Sequence, residues 1–408
     1  MYRKFKADHL FTGTEMLNSN KVLITKKDGT VEAIIDAPDS YRDNAGDIET
    51  FNGIISPGFI NTHCHLELSH MKGLIPEKTG LVDFVYKVVN ERHFAEEEIL
   101  NAIDAAENEM LLNGIVAAGD ICNTLLTLPQ KKKQRLAYYN FIEASGWLPS
   151  ISQTRFERSL NLYNEFQNSK FKIQNSIVPH APYSVSDELW KLITPYFENK
   201  VVSIHNQETV FEDELFLHGT GDLVRMYELM NINNSHFIPG KKSSLQTYFS
   251  RLSKAASIII VHNTFTTQAD IDFAKNNKTG AQQLSFCICI NANQYIENTM
   301  PPIPLLSEND CNIVLGTDSL ASNHSLNLLD EMKTIQKNFP DISLQQMLQW
   351  ATLNGAKALQ MDNTLGSFEK GKKPGVVLIE NCLNQNLLPA RLGHSGGDLK
   401  ISKIKKII

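Results

Sequence analysis

Pro57-Gly58-Phe59-Ile60-Asn61-Thr62-His63-Cys64-His65-Leu66-Glu67 (PGFINTHCHLE) marks the point at which the texture of the chain changes. Before it, the first ~55 residues read as short strands separated by turn signals such as Asp28-Gly29. After it, short β-branched runs alternate with longer amphipathic stretches. The pattern predicts strands at Gly58–His65, Ile115–Ile121, Ala137–Gly146, Ser176–His180, Val201–His205, Ser257–His262, Leu284–Asn291 and Asn312–Asp318. Helical patterns fall between them, for instance Ala95–Leu112 and Gly221–Met230. Eight β-then-α units predict an α/β fold of the (β/α)8 TIM-barrel type, with its chemistry at the C-terminal ends of the strands.

Beyond about residue 364 the pattern returns to strands and turns, as in GSFEKGKKPGVVLIE. The expected organisation is therefore a catalytic barrel over 58–364 and a small β domain assembled from 1–57 and 365–408. A net charge of −6 offers no basic surface for nucleic acid. No apolar run approaches the ~20 residues that a membrane helix needs. The start MYRKFKADHLF lacks the apolar core of a secretory signal. Six scattered cysteines (Cys64, Cys122, Cys287, Cys289, Cys311, Cys382) show no zinc-ribbon or disulfide spacing and mostly lie in apolar runs. They read as buried free thiols in a reducing cytoplasm.

Alternate residues of a strand face the same side, so His63 and His65 at the end of the first barrel strand both face one way. Alone this is weak: with 12 histidines in 408 residues, an HxH pair arises by chance in roughly one chain in three. The other polar residues sharpen it. His205 ends the fifth strand (VVSIHNQE), His262 the sixth (SIIIVHNT) and Asp318 the eighth (NIVLGTDS). One such histidine is an ordinary polar core residue. Four histidines and a carboxylate at matched strand ends form a site.

With these residues in view, PGFINTHCHLE, HNQE, VHN and LGTDSLASN resemble the signature blocks of the amidohydrolase superfamily. The similar branch contains mononuclear deaminases of guanine, cytosine, adenosine-like nucleosides and s-triazines. The resemblance implies that His63, His65, His205 and Asp318 bind one divalent metal. Zn2+ comes first, since imidazole and carboxylate suit it, with Fe2+ or Mn2+ as alternatives in the same ligand set. It also implies that Glu208 shuttles protons and that His262 orients or deprotonates the attacking water. A surface carboxylate is the bland alternative for Glu208 taken alone.

The chemistry needs these parts in any family. A bound metal brings the pKa of water toward ~7. Attack on the amino-bearing ring carbon then requires a proton on the adjacent ring nitrogen, which Glu208 could donate. Asp318 could pass the water's proton to the departing ammonia, and His262 could stabilise the developing charge. Binuclear relatives bridge two metals with a lysine on the fourth strand. Here that strand reads SIVPHAPYSVS, with no lysine, so a single metal is expected.

His180 in this segment resembles the substrate-contacting histidine of nucleoside deaminases, with a structural histidine as the alternative. The block HLELSH places Glu67 and His70 just past the metal pair and resembles enzymes deaminating adenine nucleosides, including aminodeoxyfutalosine. Glu67 reads either as a contact to a ribose or ring edge or as a structural carboxylate. The loop Asn231–Thr247, with Lys241, Lys242 and Ser243, reads either as a contact to an anionic substrate tail or as solvated surface. Where relatives carry a CPxSN block this chain has CICINAN, leaving Asn291 and Asn293 to keep the polar function. Arg155 and Arg158 do not match the arginine pair of S-adenosylhomocysteine deaminases, which leaves adenosine, methylthioadenosine and aminodeoxyfutalosine as candidates. Hydrolysis of a cyclic amide or a chlorinated triazine on the same site is the near rival; a non-catalytic scaffold is the remote one. The partners expected are a small heterocyclic substrate and a second copy of the chain in a homodimer.

Overall fold

A computed structural model of the protein describes residues 2–37, 48–169, 174–380 and 403–408; Cys382 lies outside them. The chain divides into two compact units, one of residues 1–61, 108–117 and 327–408, the other of residues 62–107 and 118–326.

In the first unit, strands from both ends of the chain share sheets. Tyr2–Lys6 pairs antiparallel with Lys21–Lys26, which pairs with Val31–Asp36. Val377–Glu380 pairs antiparallel with Ile54–Ser56, placing Val377 opposite Ser56. Phe5, Leu23, Ile55, Phe368 and Leu378 pack into one apolar cluster there, so N-terminal and C-terminal residues leave water together.

The second architecture is α/β with parallel strands. Two four-stranded sheets run in order, one of Phe59–Cys64, Ile115–Cys122, Ala137–Ala144 and Gln174–Pro179, the other of Val201–Asn206, Ser257–His262, Gln283–Ile288 and Asn312–Leu315. Both faces of such strands are covered, hence the near-continuous apolar runs. Every residue of SIIIVH at 257–262 is buried. The register aligns the polar ends: His205 lies opposite Val261, and Asn206 opposite His262. The edges of the two sheets also meet. The His205 N–H donates to His180 O at 3.0 Å, and Cys64 forms a parallel bridge with Asp318.

Gly316 permits that last approach. A Cβ there would lie 2.9 Å from Cys287 Sγ, Cys289 Sγ and His63 O. With no side chain in the way, the N–H groups of Thr317 and Asp318 both donate to His63 O, at 3.0 and 3.1 Å.

The predicted strand Leu284–Asn291 stops at Ile288. The chain turns at Cys289 and starts the helix Ile290–Glu297, so Asn291 sits in a helix and not at a strand end. The loop after Leu229 runs into the short helix Ser244–Tyr248, whose N-terminus is capped by Ser243 accepting from Gln246 N. Among the described residues no helix is long and apolar enough to cross a membrane.

Candidate active site

The strand ends bring His63, His65, His205, His262, Asp318 and Glu208 together. His65 Nε2 lies 3.2 Å from Asp318 Oδ1 and 3.3 Å from His205 Nε2. His63 Nε2 lies 3.6 Å from the same Asp318 oxygen. Ligating atoms of His63, His205, His262 and Asp318 all fall within 4.8 Å of one another. His262 Nε2 is 3.5 Å from Glu208 Oε2. Gln207, His262, Asn263 and Asp318 have φ of 44°, 76°, 57° and 57°, left-handed values that residues with a Cβ adopt at a cost. Such strain gathered at strand ends is characteristic of functional sites.

The surroundings fix orientation. His205 Nδ1 faces His180 O at 2.7 Å; as the donor there, it leaves a lone pair on Nε2. Ser322 Oγ donates to Asp318 Oδ2 at 2.5 Å. Asn293 Nδ2 lies 3.1 Å from His262 Nδ1.

Burial sets the charges. It pushes the His65 and His262 imidazoles well below the ordinary histidine pKa, with the neighbouring histidines adding to the effect. His205 is pushed down to about 4 by burial and then by His180 and His63. His180 also falls to about 4, from burial first and then His63. Burial pushes Glu208 well above the carboxylate range, with Asp318, Glu212 and Glu297 adding to the rise. Burial would raise Asp318 too, but His63, His65 and His262 hold it well below its usual value. Burial thus disfavours the charged forms of His65, His180, His205, His262 and Glu208, while the surrounding histidines favour the anion of Asp318.

That donor set fits a divalent cation. His63 is fully buried, and neither of its ring nitrogens has a hydrogen-bond partner, a costly arrangement for a polar ring unless it binds something else. Two imidazole nitrogens facing each other at 3.3 Å suit a shared cation. Ligands about 2.0–2.1 Å from a tetrahedral centre stand ~3.3 Å apart.

A cavity of about 970 Å³ opens on this cluster, lined by His65, His180, His205, Glu208, His262 and Asp318, and by apolar side chains such as Phe84, Trp147 and Met230. Trp147 stacks on Tyr227 at 5.2 Å and 7°.

His180 stands beside His205, ring centroids 4.9 Å apart, with Ser184 Oγ 2.8 Å from its Nδ1. Glu67 borders the cavity, but its carboxylate is committed. It accepts from Arg92 Nη2 (2.7 Å), Asn123 N (3.0 Å), Thr124 N (3.0 Å) and Thr124 Oγ1 (2.9 Å). His70 Nε2 lies 3.0 Å from Arg92 O, and the ring packs edge-on against Phe94. Neither Asn291, which is half-buried, nor Asn293 lines the cavity; Asn293, past the turn at Cys289, is fully buried against His262. Asn231 and Ile232 line the cavity from the start of their loop, whereas Lys241 and Lys242 are exposed and do not.

Sequence reasoning missed Glu143, buried on the cavity wall at the end of the third strand. The signal was the carboxylate closing the run YYNFIEA, the same signal that singled out Asp318. Arg155 and Arg158, set aside on sequence, also line the cavity.

Buried imidazoles gathered around a carboxylate at the ends of parallel strands suit a metal-dependent hydrolase. The chain belongs to the amidohydrolase family, whose family model matches residues 54–404, and it acts on carbon–nitrogen bonds. It is 26% identical over 377 residues to the 5-methylthioadenosine/S-adenosylhomocysteine deaminase of Saccharophagus degradans, covering 87% of this chain and 77% of that protein. Among solved structures it resembles Helicobacter pylori aminofutalosine deaminase in complex with methylthio-coformycin, at a TM-score of 0.79 and 21% identity over 92% of each chain. It also resembles a zinc-bound adenosine deaminase from Xanthomonas campestris, at a TM-score of 0.68 and 19% identity over 97% of this chain and 89% of that one.

Proposed function

We propose that the protein is a metal-dependent aminohydrolase that releases ammonia from an adenine-containing nucleoside such as adenosine, methylthioadenosine or aminodeoxyfutalosine. The observation that carries this reading is Glu208, a buried carboxyl on the cavity wall 3.5 Å from His262, whose pKa burial pushes well above the carboxylate range. His63, His65, His205 and Asp318 would hold one divalent cation, zinc before iron or manganese. Such a cation supplies Lewis acidity and brings the pKa of a water toward ~7.

The remaining work falls to the side chains. Glu208 gives its proton to the ring nitrogen next to the amino-bearing carbon, which makes that carbon electrophilic. Asp318 takes a proton from the attacking water and passes it to the leaving amine. His262 hydrogen-bonds the oxygen as its bond to carbon forms. The carbon–nitrogen bond then breaks, ammonia leaves, and the hydroxyl proton returns to Glu208 as the carbonyl forms. His180, on the cavity wall beside His205, contacts the heterocycle. Asn293 holds the His262 ring in place.

The meeting of the two sheets at both edges supports their closure into one (β/α)8 barrel. The sheet shared by Ile54–Ser56 and Val377–Glu380 supports a composite β domain built from 1–57 and 365–408 around a barrel of 58–364. The five cysteines among the described residues form no disulfide, which suits a cytoplasmic enzyme. Family resemblance makes it a homodimer, working without nucleic acid or membrane.

The test is ammonia release by zinc-loaded protein from adenine nucleosides, aminodeoxyfutalosine, guanine, cytosine and pterins. Strong release from an adenine nucleoside is expected. Silence across the panel with metal bound would turn the reading toward a cyclic amide or a chlorinated triazine.

A further inference from the structure

Strand alternation alone would turn Glu208 away from the site. His205 meets the cavity from the strand Val201–Asn206, so a strand continued in register would bring Gln207 to the same side and send Glu208 to the other. The observed order is the reverse: Glu208 lines the cavity and Gln207 does not. The strand ends at Asn206, and Gln207 takes a left-handed backbone with φ of 44°. A residue with a Cβ holds that conformation only when its surroundings enforce it.

Carboxylates from two helices do so. Gln207 Nε2 donates to Asp213 Oδ2 and Asp270 Oδ2, both at 3.1 Å, which ties the side chain down outside the cavity. Glu212 holds the next residue. Thr209-Val210-Phe211-Glu212 has the sequence of a helix capping box, with Thr209 the N-cap of the helix Val210–His218 and Glu212 its N3 residue. In such a box the N3 carboxylate returns to the N–H of the N-cap residue. Here Thr209 makes no side-chain cap, and Glu212 Oε1 reaches one residue further back, accepting the N–H of Glu208 at 2.9 Å. Its Oε2 accepts from Ser244 Oγ at 2.9 Å, and Ser244 N donates to Asp213 Oδ1 at 2.7 Å. Glu212 is fully buried and does not line the cavity.

We infer that Glu212 is a positioning residue: by holding the Glu208 N–H it fixes the turn that aims the Glu208 carboxyl into the cavity. The assignment rests on the reading of Glu208 as the proton donor in deamination. With the acceptor removed, the Glu208 N–H is left buried and unpaired, a cost the chain escapes by relaxing the turn. Glu208 is then still present but misaimed, and displacing a catalytic group by about 1 Å costs on the order of 10²-fold in rate.

The test sets Glu212→Leu, close to glutamate in size but without an acceptor, against Glu212→Gln. The Gln carbonyl still accepts from Glu208 N, and its amide can donate to Ser244 Oγ. Each variant is made in wild type and in Glu208→Gln, loaded with zinc, and read by ammonia release from the best nucleoside of the panel. Calorimetry gives the Kd of the deaminated product, and hydrogen exchange follows residues 205–212. In Glu212→Leu, kcat should fall by roughly 10- to 100-fold with KM and product Kd little changed. Exchange in the segment should speed up there and not in Glu212→Gln, whose kcat should stay within about threefold of wild type. In the Glu208→Gln background the leucine should cost less than about threefold, because the group it misaims is already disabled. A merely structural role would lower metal content, binding and rate in both backgrounds.

A kcat in Glu212→Leu within about threefold of wild type overturns the inference and leaves the deaminase reading standing. So does an equal loss in both backgrounds, or a loss in Glu212→Gln as large as in Glu212→Leu. Should Glu212→Leu fail to fold, Ser244→Ala, which frees one oxygen of Glu212, is read in the same two backgrounds. A loss of kcat that disappears in Glu208→Gln supports the inference, and no loss or an equal one overturns it. No ammonia from any nucleoside with metal-loaded wild type overturns the deaminase reading and the inference with it.

Discussion

Replacing Lys131 with methionine tests how the strand end carrying His63 and His65 is held. Lys131 is 3% exposed, and its ammonium contacts Asp120 Oδ2 and, at 3.1 Å, Cys122 Sγ. It also lies over the rings of Tyr138 and Phe166, 5.1 and 5.3 Å from their centroids. Burial would lower its pKa, yet Asp120 and Cys122 hold it above the ordinary lysine value. The other oxygen of Asp120 accepts the N–H of Leu66 at 2.8 Å, one residue past His65. Methionine nearly matches the lysine stem in volume, so little cavity forms; the cost is the Asp120 charge left buried alone. Breaking one side of a buried pair costs about 3–5 kcal/mol. In Asp120→Asn/Lys131→Met the amide still accepts from Leu66 N, and no charge is stranded, so the double variant should lose clearly less than the single. The assay is urea unfolding followed by fluorescence and circular dichroism, with metal content measured in parallel. Metal retention should fall in Lys131→Met and partly recover in the double variant. A loss below about 1 kcal/mol in the single variant, or a double variant as weak as the single, would refute the argument.

Asp318→Asn should weaken metal retention as well as rate, measured as metal per chain after dialysis against a chelator; unchanged stoichiometry would argue against ligation. Glu212 is fully buried, accepts from Glu208 N and Ser244 Oγ, and is pushed up to about 8, chiefly by burial. Because the fold binds this proton more tightly than the unfolded chain does, its contribution to stability is complete below the ordinary glutamate pKa. That contribution is lost as pH rises toward about 8. Glu212→Gln should flatten this fall in a series of unfolding curves between pH 5 and 9, and an unchanged slope would contradict the assignment.

The polar cluster was legible because most of its members follow apolar runs. VVSIH, SIIIVH and NIVLGTD each announce a buried strand, and parallel pairing in register carries their last residues to one end. The residues that escaped reading depend on contacts distant in sequence or on local turns. Glu67 looks free until Asn123 and Thr124, 56 and 57 residues later, wrap its carboxylate. Asn291 and Asn293 share a strand face on paper. The turn at Cys289 puts them in a helix instead, where two residues apart means roughly opposite sides. Glu143 lies one residue before the end of its strand, but no neighbouring motif drew attention to it. The left-handed backbone at His262 and Asp318 was not legible, since Asp and His adopt it more often than most residues but still rarely.

The most direct test of the account is Glu208→Gln, read as metal content and turnover on the best nucleoside of the panel. Gln keeps the shape and removes the proton donor. Full metal occupancy with turnover down by roughly 10²-fold or more is the predicted result, the scale of losing a general acid–base group. Full occupancy with near-normal turnover would contradict the role assigned to Glu208, and with it the proposed deamination chemistry.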